Sequence, residues 1–219
     1  MNKILTTIAA FSAVAAITST NAHAQDVYLG VGIPGLVRLG YAAPMGNSWG
    51  LRADYATGLN VALDGNRDGV AVTGKLKSSV AGAYADWFPF NNSGFRLVGG
   101  VTFNDTKVDM NALGSGTAVI DGKTVNMTGE YYNVTVKMPS TTPYLGIGYG
   151  HQKAEPGLGF YFDLGVMIGK LDVSSSTSLV TSNQGITQAN VDAQTQKLRD
   201  GVASVGYMPS ASLGLVYRF

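Results

Sequence analysis

At 219 residues the chain suits one domain, and its 15 basic and 14 acidic residues leave no basic field of the kind nucleic acid requires. Only 13% of residues are charged and 29 are glycine, which is sparse surface charge for a soluble globule. No apolar run of about 20 residues exists for a membrane helix, and the absence of cysteine removes disulfides, thiolate metal sites and a cysteine-linked lipid anchor.

The first segment reads as an export signal. Lys3 supplies a short positive region, residues 4–17 are apolar, and Ala22-His23-Ala24 fits the small-x-small cleavage pattern. Cleavage is expected after Ala24, so that residues 1–24 are a leader and 25–219 form one mature domain beginning at Gln25. Losing Lys3 leaves basic residues equal in number to the 14 acidic ones.

The mature chain then alternates with period two, the signal of a strand with two unlike faces. Val27, Leu29, Val31 and Ile33 interleave with Tyr28, Gly30 and Gly32. After Pro34-Gly35, Val37, Leu39 and Tyr41 interleave with Arg38 and Gly40, and Leu51, Ala53 and Tyr55 with Arg52 and Asp54. A weaker alternation places Ala81, Ala83, Ala85 and Trp87 opposite Gly82, Tyr84 and Asp86. Phe95, Leu97, Val101 and Phe103 oppose Arg96, Gly100 and Thr102; Leu145, Ile147 and Tyr149 oppose Tyr144, Gly146 and Gly148. Phe160, Phe162, Leu164, Val166 and Ile168 oppose Tyr161, Asp163, Gly165 and Met167, and a last strand carries Ala211, Leu213, Leu215, Tyr217 and Phe219 on one face. The pattern predicts an all-β fold, a closed antiparallel transmembrane β-barrel of eight strands, with ten as the alternative. A sheet in lipid must close, because open edges leave polar backbone unsatisfied.

The connections sort by length. Turns at 43–48, 91–94 and 151–158 are short, whereas 58–75, 105–142 and 170–207 are long; the first outer connection, at Pro34-Gly35, is tight. Short periplasmic turns and long extracellular loops are the outer-membrane arrangement. Tyr41, Trp49, Trp87, Phe95, Tyr149, Phe160 and Phe219 fall on outward positions near the periplasmic ends, where a membrane interface favours rings. In the first long loop, Asp64, Asn66 and Asp68 match half of a calcium loop, but Lys75 stands where the bidentate glutamate belongs, so a solvated hairpin tip is the better reading. In the second, Asp121-Gly122 marks a hairpin turn, and 131–138 extends the sheet above the membrane or adds membrane strands. In the third, Val191, Thr195, Leu198 and Val202 follow Asn190, a possible cap, at helical spacing; a short helix over the barrel mouth is expected.

The ending Leu213-Gly214-Leu215-Val216-Tyr217-Arg218-Phe219 resembles the assembly signal of bacterial outer-membrane proteins, which implies Leu213, Leu215, Tyr217 and Phe219 as the contacts of the barrel-assembly machinery. The mature chain as a whole resembles the small outer-membrane barrels of the OmpA, OmpX and OmpW kind. More narrowly, Gly50-Leu51-Arg52-Ala53-Asp54-Tyr55, Gly94-Phe95-Arg96-Leu97, Pro143-Tyr144-Leu145-Gly146-Ile147-Gly148 and Phe162-Asp163-Leu164-Gly165-Val166-Met167 resemble a proteobacterial outer-membrane protein family with no assigned substrate. The resemblance implies a Gram-negative outer-membrane location, with membrane lipids and lipopolysaccharide as surroundings. Enzymes of such barrels carry histidine at the outer rim, whereas the mature chain's one histidine, His151, falls in a periplasmic turn, where it is expected to be solvated; an enzyme is therefore not expected, and no cofactor is implied.

Arg38, Arg52, Asp54, Asp86, Arg96, Asp163 and Arg218 all fall on the inward face. An eight-stranded barrel encloses room only for side chains or one small ligand, and buried charges must pair. They are expected to form a packed lumen network, with Arg38 and Asp54 directly opposite one another if the first turn centres on Gly46. The leading functional expectation is a non-enzymatic anchor for surface loops, contacting lipopolysaccharide or an external partner in envelope integrity or adhesion. A narrow channel for small or apolar solutes is the alternative.

Overall fold

The computed structural model describes residues 25–67, 70–90, 93–114, 116–151, 156–203 and 206–219, so the expected leader and Asp68 lie outside the described residues. The elements in chain order are β1 (Asp26–Ile33), β2 (Val37–Met45), β3 (Trp49–Arg67), β4 (Val70–Trp87), β5 (Phe95–Gly114), β6 (Thr117–Ile120), β7 (Lys123–Asn126), β8 (Tyr131–Lys137), β9 (Thr141–Tyr149), β10 (Gly157–Ile168), β11 (Asp172–Thr177), α1 (Gln188–Ala203) and β12 (Tyr207–Arg218). Eight of these strands form the ring β1-β2-β3-β4-β5-β9-β10-β12, and the pairing of β12 with β1 closes it antiparallel. The remaining sheet strands, β8 and β11, stand above the ring rather than in it.

The period-two sequence decides which face each residue takes. Leu29 is 57% exposed and its neighbour Tyr28 only 1%, and the same division runs round the ring. Apolar side chains outward and polar ones inward is the reverse of a soluble sheet, and lipid is the solvent that makes it stable. Trp49 and Trp87 lie opposite each other in the β3–β4 register and stack at 6.2 Å, both facing outward at the short-turn end. Inward glycines make room for rings: a Cβ on Gly40 would stand 2.1 Å from the ring of Tyr28.

Two features depart from the sequence reading. The connections expected as long loops at 58–75 and 105–142 are largely strand, since β3, β4 and β5 run 19, 18 and 20 residues and continue past the apolar belt. Beyond lipid both faces of a sheet meet water, so the apolar–polar alternation that marks a membrane strand fades while the hydrogen-bond ladder goes on. The ladder also changes partner: β5 pairs with β9 from Phe95 to Phe103 and with β8 from Lys107 to Leu113, and β11 adds outside β8. A bulge between Ala56 and Leu59, with Gly58 at φ +92°, re-aims the upper part of β3.

The second departure is register. Arg38 lies opposite Ala56, and Asp54 opposite Gly40, because the first turn centres one residue later than Gly46. The two are diagonal neighbours, a separation that long side chains span.

Candidate functional site

The lumen is filled in layers, each supplied by inward positions of several strands. At the short-turn end, Arg218 on β12 grips Asp26 on β1 through Nε and Nη2 at 2.6 and 2.9 Å, and also donates to the His151 carbonyl at 2.5 Å. His151 Nδ1 stands 3.3 Å from the same Asp26 carboxylate, and its ring packs on Tyr28 and Tyr161 at 4.7 and 5.2 Å. His151 is therefore not the solvated turn residue its position suggested: it is 6% exposed and folds back, with φ at +64°, to close the barrel floor.

The next layer joins four strands of the ring. Arg52 on β3 reaches Asp86 on β4 at 3.1 Å and Asp163 on β10 at 3.2 Å. Arg96 on β5 meets Asp163 at 2.6 Å and Asp86 at 3.5 Å, and donates to the Gly150 carbonyl at 2.8 Å. Beside it, Arg38 on β2 meets Asp54 on β3 at 2.6 Å; Asp54 also accepts from Tyr28 at 2.9 Å and Tyr84 at 3.3 Å. Arg52 stacks over the Tyr84 ring at 4.5 Å. All seven expected charges are thus inward, buried and in contact with opposite charge. With Asp26 included, the four arginines Arg38, Arg52, Arg96 and Arg218 face the four aspartates Asp26, Asp54, Asp86 and Asp163. Asp26 escapes a strand taken to begin at Val27, although its inward parity, one residue earlier, is the signal that the sequence carries.

Above the charges lies an apolar layer of Val80, Tyr84, Val98, Met138, Tyr144 and Met167. Hydroxyl pairs follow, Thr102 with Thr142 at 2.7 Å and Ser78 with Thr106 at 2.6 Å. Salt bridges, apolar side chains and hydroxyl pairs thus succeed one another along the lumen.

The long-loop end carries a second structure that the sequence only sketched. β6 and β7 form a hairpin whose turn is Asp121-Gly122, both at positive φ, as a two-residue turn of this kind requires. Ile120, Val125 and Met127 of this hairpin segment pack with Tyr132, Leu179, Ile186 and Val191 into an apolar core separate from the lumen. α1 begins at Gln188, so Asn190 is not the cap; it sits in the first turn, and its Oδ1 accepts from the backbone N–H of Thr187 at 3.2 Å. Val191 and Thr195 are buried as expected and Leu198 is half-buried. Asp121 binds the helix to the hairpin, accepting from Lys197 at 2.6 Å and Asn190 at 3.1 Å; these bonds hold its carboxyl below the usual carboxylate range. Arg199 donates to the Val173 carbonyl on β11 at 2.8 Å. The expected helix is present, and with the hairpin it forms a folded cap that has its own apolar core.

Of the calcium candidates, Asp64 and Asn66 lie along β3, and Asp68 is outside the described residues. Asp64 is exposed on β3 opposite Thr73, and β3 continues through residue 66 to Arg67 with no flanking helix. Among the described residues no group of three or more His, Cys, Asp or Glu is placed to hold a metal ion. Leu213, Leu215, Tyr217 and Phe219 share the outward face of β12, each at least 44% exposed, with Tyr217 and Phe219 in edge contact at 5.3 Å.

No family model and no curated protein matches the chain. Among solved structures, CarO of Acinetobacter baumannii matches over 89% of this chain and 97% of its own, at 17% identity and a TM-score of 0.59. CarO2 of the same organism matches over 91% of this chain and 100% of its own, at 16% identity and a TM-score of 0.63. The fold is that of a small outer-membrane β-barrel. Identity at this level speaks to fold alone. The Asp26–Arg218–His151 floor lies at the short-turn end of the barrel and the cap at the opposite, long-connection end; in outer-membrane barrels generally the short turns face the periplasm.

Proposed function

We propose that the protein is a non-enzymatic component of the Gram-negative outer membrane whose plugged barrel anchors a rigid, pre-folded extracellular cap, presenting it to lipopolysaccharide or to an external partner in envelope integrity or adhesion. The observation that carries this reading is the coexistence of a charge-compensated lumen with a cap that has its own apolar core. Filling the interior with buried ion pairs forgoes a solute path and gives a stiff cylinder. A surface element with its own core meets a partner already ordered, so contact does not carry the entropic cost of folding a loop. His151, held by Asp26 and two aromatic rings at the periplasmic floor, is spent on structure and lies far from the exterior.

The chain lacks cysteine, so single introduced thiols report location without interference. Thr124→Cys, on the exposed side of the cap hairpin, should react with a membrane-impermeant maleimide on intact cells. Ser48→Cys, in the first short turn, should react only after the outer membrane is permeabilised. Labelling of both sites, or of Ser48→Cys alone, on intact cells would contradict the proposed display.

A further inference from the structure

The outer surface of the extended sheet carries a layered pattern that the plugged-barrel reading does not use. On β5 the outward parity runs through Val101 and Phe103, both exposed, then Asp105, Lys107, Asp109 and Asn111, with no bulge in the β4–β5 register. Three cross-strand rows stand above the apolar belt. The first, nearest the membrane, is Lys77–Lys107–Lys137–Asp172; the second is Lys75–Asp109–Thr135–Ser174; the third is Thr73–Asn111–Asn133–Ser176. Each row crosses β4, β5, β8 and β11 in turn.

Three lysines directly opposite one another on adjacent strands repel, an arrangement that costs stability unless something anionic sits on it. Asp109 takes Lys107 at 3.0 Å and Asp172 stands opposite Lys137, while Lys77 has no ion pair among the described residues. With Asp105 one step nearer the membrane, the carboxylates interleave with the lysines, so the row suits discrete phosphates rather than a continuous polyanion. Above the lysines the second and third rows line an open groove of about 530 Å³ whose walls include Thr73, Lys75, Asp109, Asn111, Asn133 and Ser176. Asn111 and Asn133 line this groove, and their shielded side-chain oxygens lack a donor within the protein. Hydroxyls, amides and one carboxylate are the groups that hold sugars.

The geometry points to a docking surface for the phosphorylated glycolipid of the outer leaflet, lipopolysaccharide: acyl chains against Val101 and Phe103, lipid A phosphate on the Lys77–Lys107–Lys137 row, and the first core sugars in the groove above. The order of chemistry along β5, apolar then cationic then polar, is the order of that molecule along the membrane normal. This deepens the proposed role of the extracellular surface and rests on its outward orientation.

The test uses the full mature chain folded in non-ionic detergent and titrated with rough lipopolysaccharide, with the same material after phosphate removal, and with lipid A lacking core sugars. Wild type should bind the first most tightly and the dephosphorylated form at least tenfold more weakly. Lys77→Gln with Lys107→Gln should weaken lipopolysaccharide and lipid A alike by about tenfold or more, because counter-charge is lost for both. Asn111→Ala with Asn133→Ala should weaken lipopolysaccharide by about fivefold or more, the size of one or two lost hydrogen bonds, while leaving lipid A binding unchanged. Without any glycolipid Lys77→Gln alone, which breaks no ion pair among the described residues, should melt at or above wild type, since a repulsion is removed; a lower melting temperature contradicts the premise of the proposal. Equal binding of phosphorylated and dephosphorylated material, or both variants binding within twofold of wild type, would overturn it. If that happens while Thr124→Cys is still labelled on intact cells, the display reading survives and only the glycolipid assignment falls.

Discussion

Replacement of Asp54 by alanine is the perturbation whose cost the structure defines best. The Asp54 side chain is fully shielded, and it accepts from Arg38 at 2.6 Å, Tyr28 at 2.9 Å and Tyr84 at 3.3 Å. Asp54→Ala removes the carboxylate that neutralises Arg38, which is itself 5% exposed in its side chain. Breaking a buried pair by deleting one partner costs about 3–5 kcal/mol, and two tyrosine hydroxyls losing their acceptor add about 1 kcal/mol each. The upper half of that range is offset where water enters the cavity, so a net loss of about 5 kcal/mol is expected. Arg38→Ala should cost less, about 2 kcal/mol, because Asp54 keeps both hydroxyl donors and has Arg52 at 3.7 Å. The double replacement should cost less than the sum of the two, as coupled neighbours do. Denaturant unfolding of the barrel refolded in lipid reads this directly: with a slope of about 2 kcal/mol per molar urea, Asp54→Ala should lower the midpoint by roughly 2.5 M. An unchanged midpoint, or an Arg38→Ala variant less stable than Asp54→Ala, would refute the pairing argument.

At the barrel floor, Asp26→Asn should destabilise by about 3 kcal/mol and His151→Ala by only about 1 kcal/mol, since the first strands Arg218 in a buried site while the second leaves the Asp26–Arg218 pair intact; the same unfolding assay ranks them. Deleting Phe219, which is 62% exposed, should impair assembly in cells far more than refolding in detergent, measured by the gel-mobility difference between boiled and unboiled samples; equal assembly of both chains would count against a terminal signal. The Asp121 contacts with Lys197 and Asn190 hold that carboxyl below its ordinary value, so their contribution is present at neutral pH and is lost as pH falls through the depressed pKa. Asp121→Asn should therefore speed amide exchange in residues 188–203 at pH about 7, and the difference should shrink as pH falls through the depressed pKa; a variant effect that does not diminish in acid would contradict the link.

The ring and its lumen charges were legible because lipid imposes a rule that the chain must show: one face apolar, the other polar, at every membrane strand. Leu29 against Tyr28, and Leu51 against Arg52, carry that rule plainly. The same rule stops at the membrane surface, which is why the upper halves of β3, β4 and β5 read as loops. Arg38 and Asp54 were visible as partners but not in their register, because a one-residue change in a turn shifts the pairing without changing either face. His151 was hidden by its position past a strand end, where parity gives no warning that a side chain folds back over the lumen, whereas Asp26 carries the inward parity of β1 one residue before its first apolar position. The cap was partly visible in Asp121-Gly122 and in the spacing of Val191 and Thr195, but its core joins Ile120, Tyr132 and Leu179 across long separations, and no local pattern announces such contacts.

Whether the lumen is closed to solute is decided by ion flow through the intact protein, because every layer of side chains in the barrel bears on it. The wild-type barrel, reconstituted in a planar bilayer at neutral pH, is predicted to show no steady conductance, since the Arg–Asp network and the Val80–Met138–Met167 layer fill its interior. Asp54→Ala in the same bilayer is predicted to give intermittent, small openings as water reaches the uncompensated Arg38. Stable, reproducible channels from the wild-type protein would contradict the account and favour a solute path through the barrel.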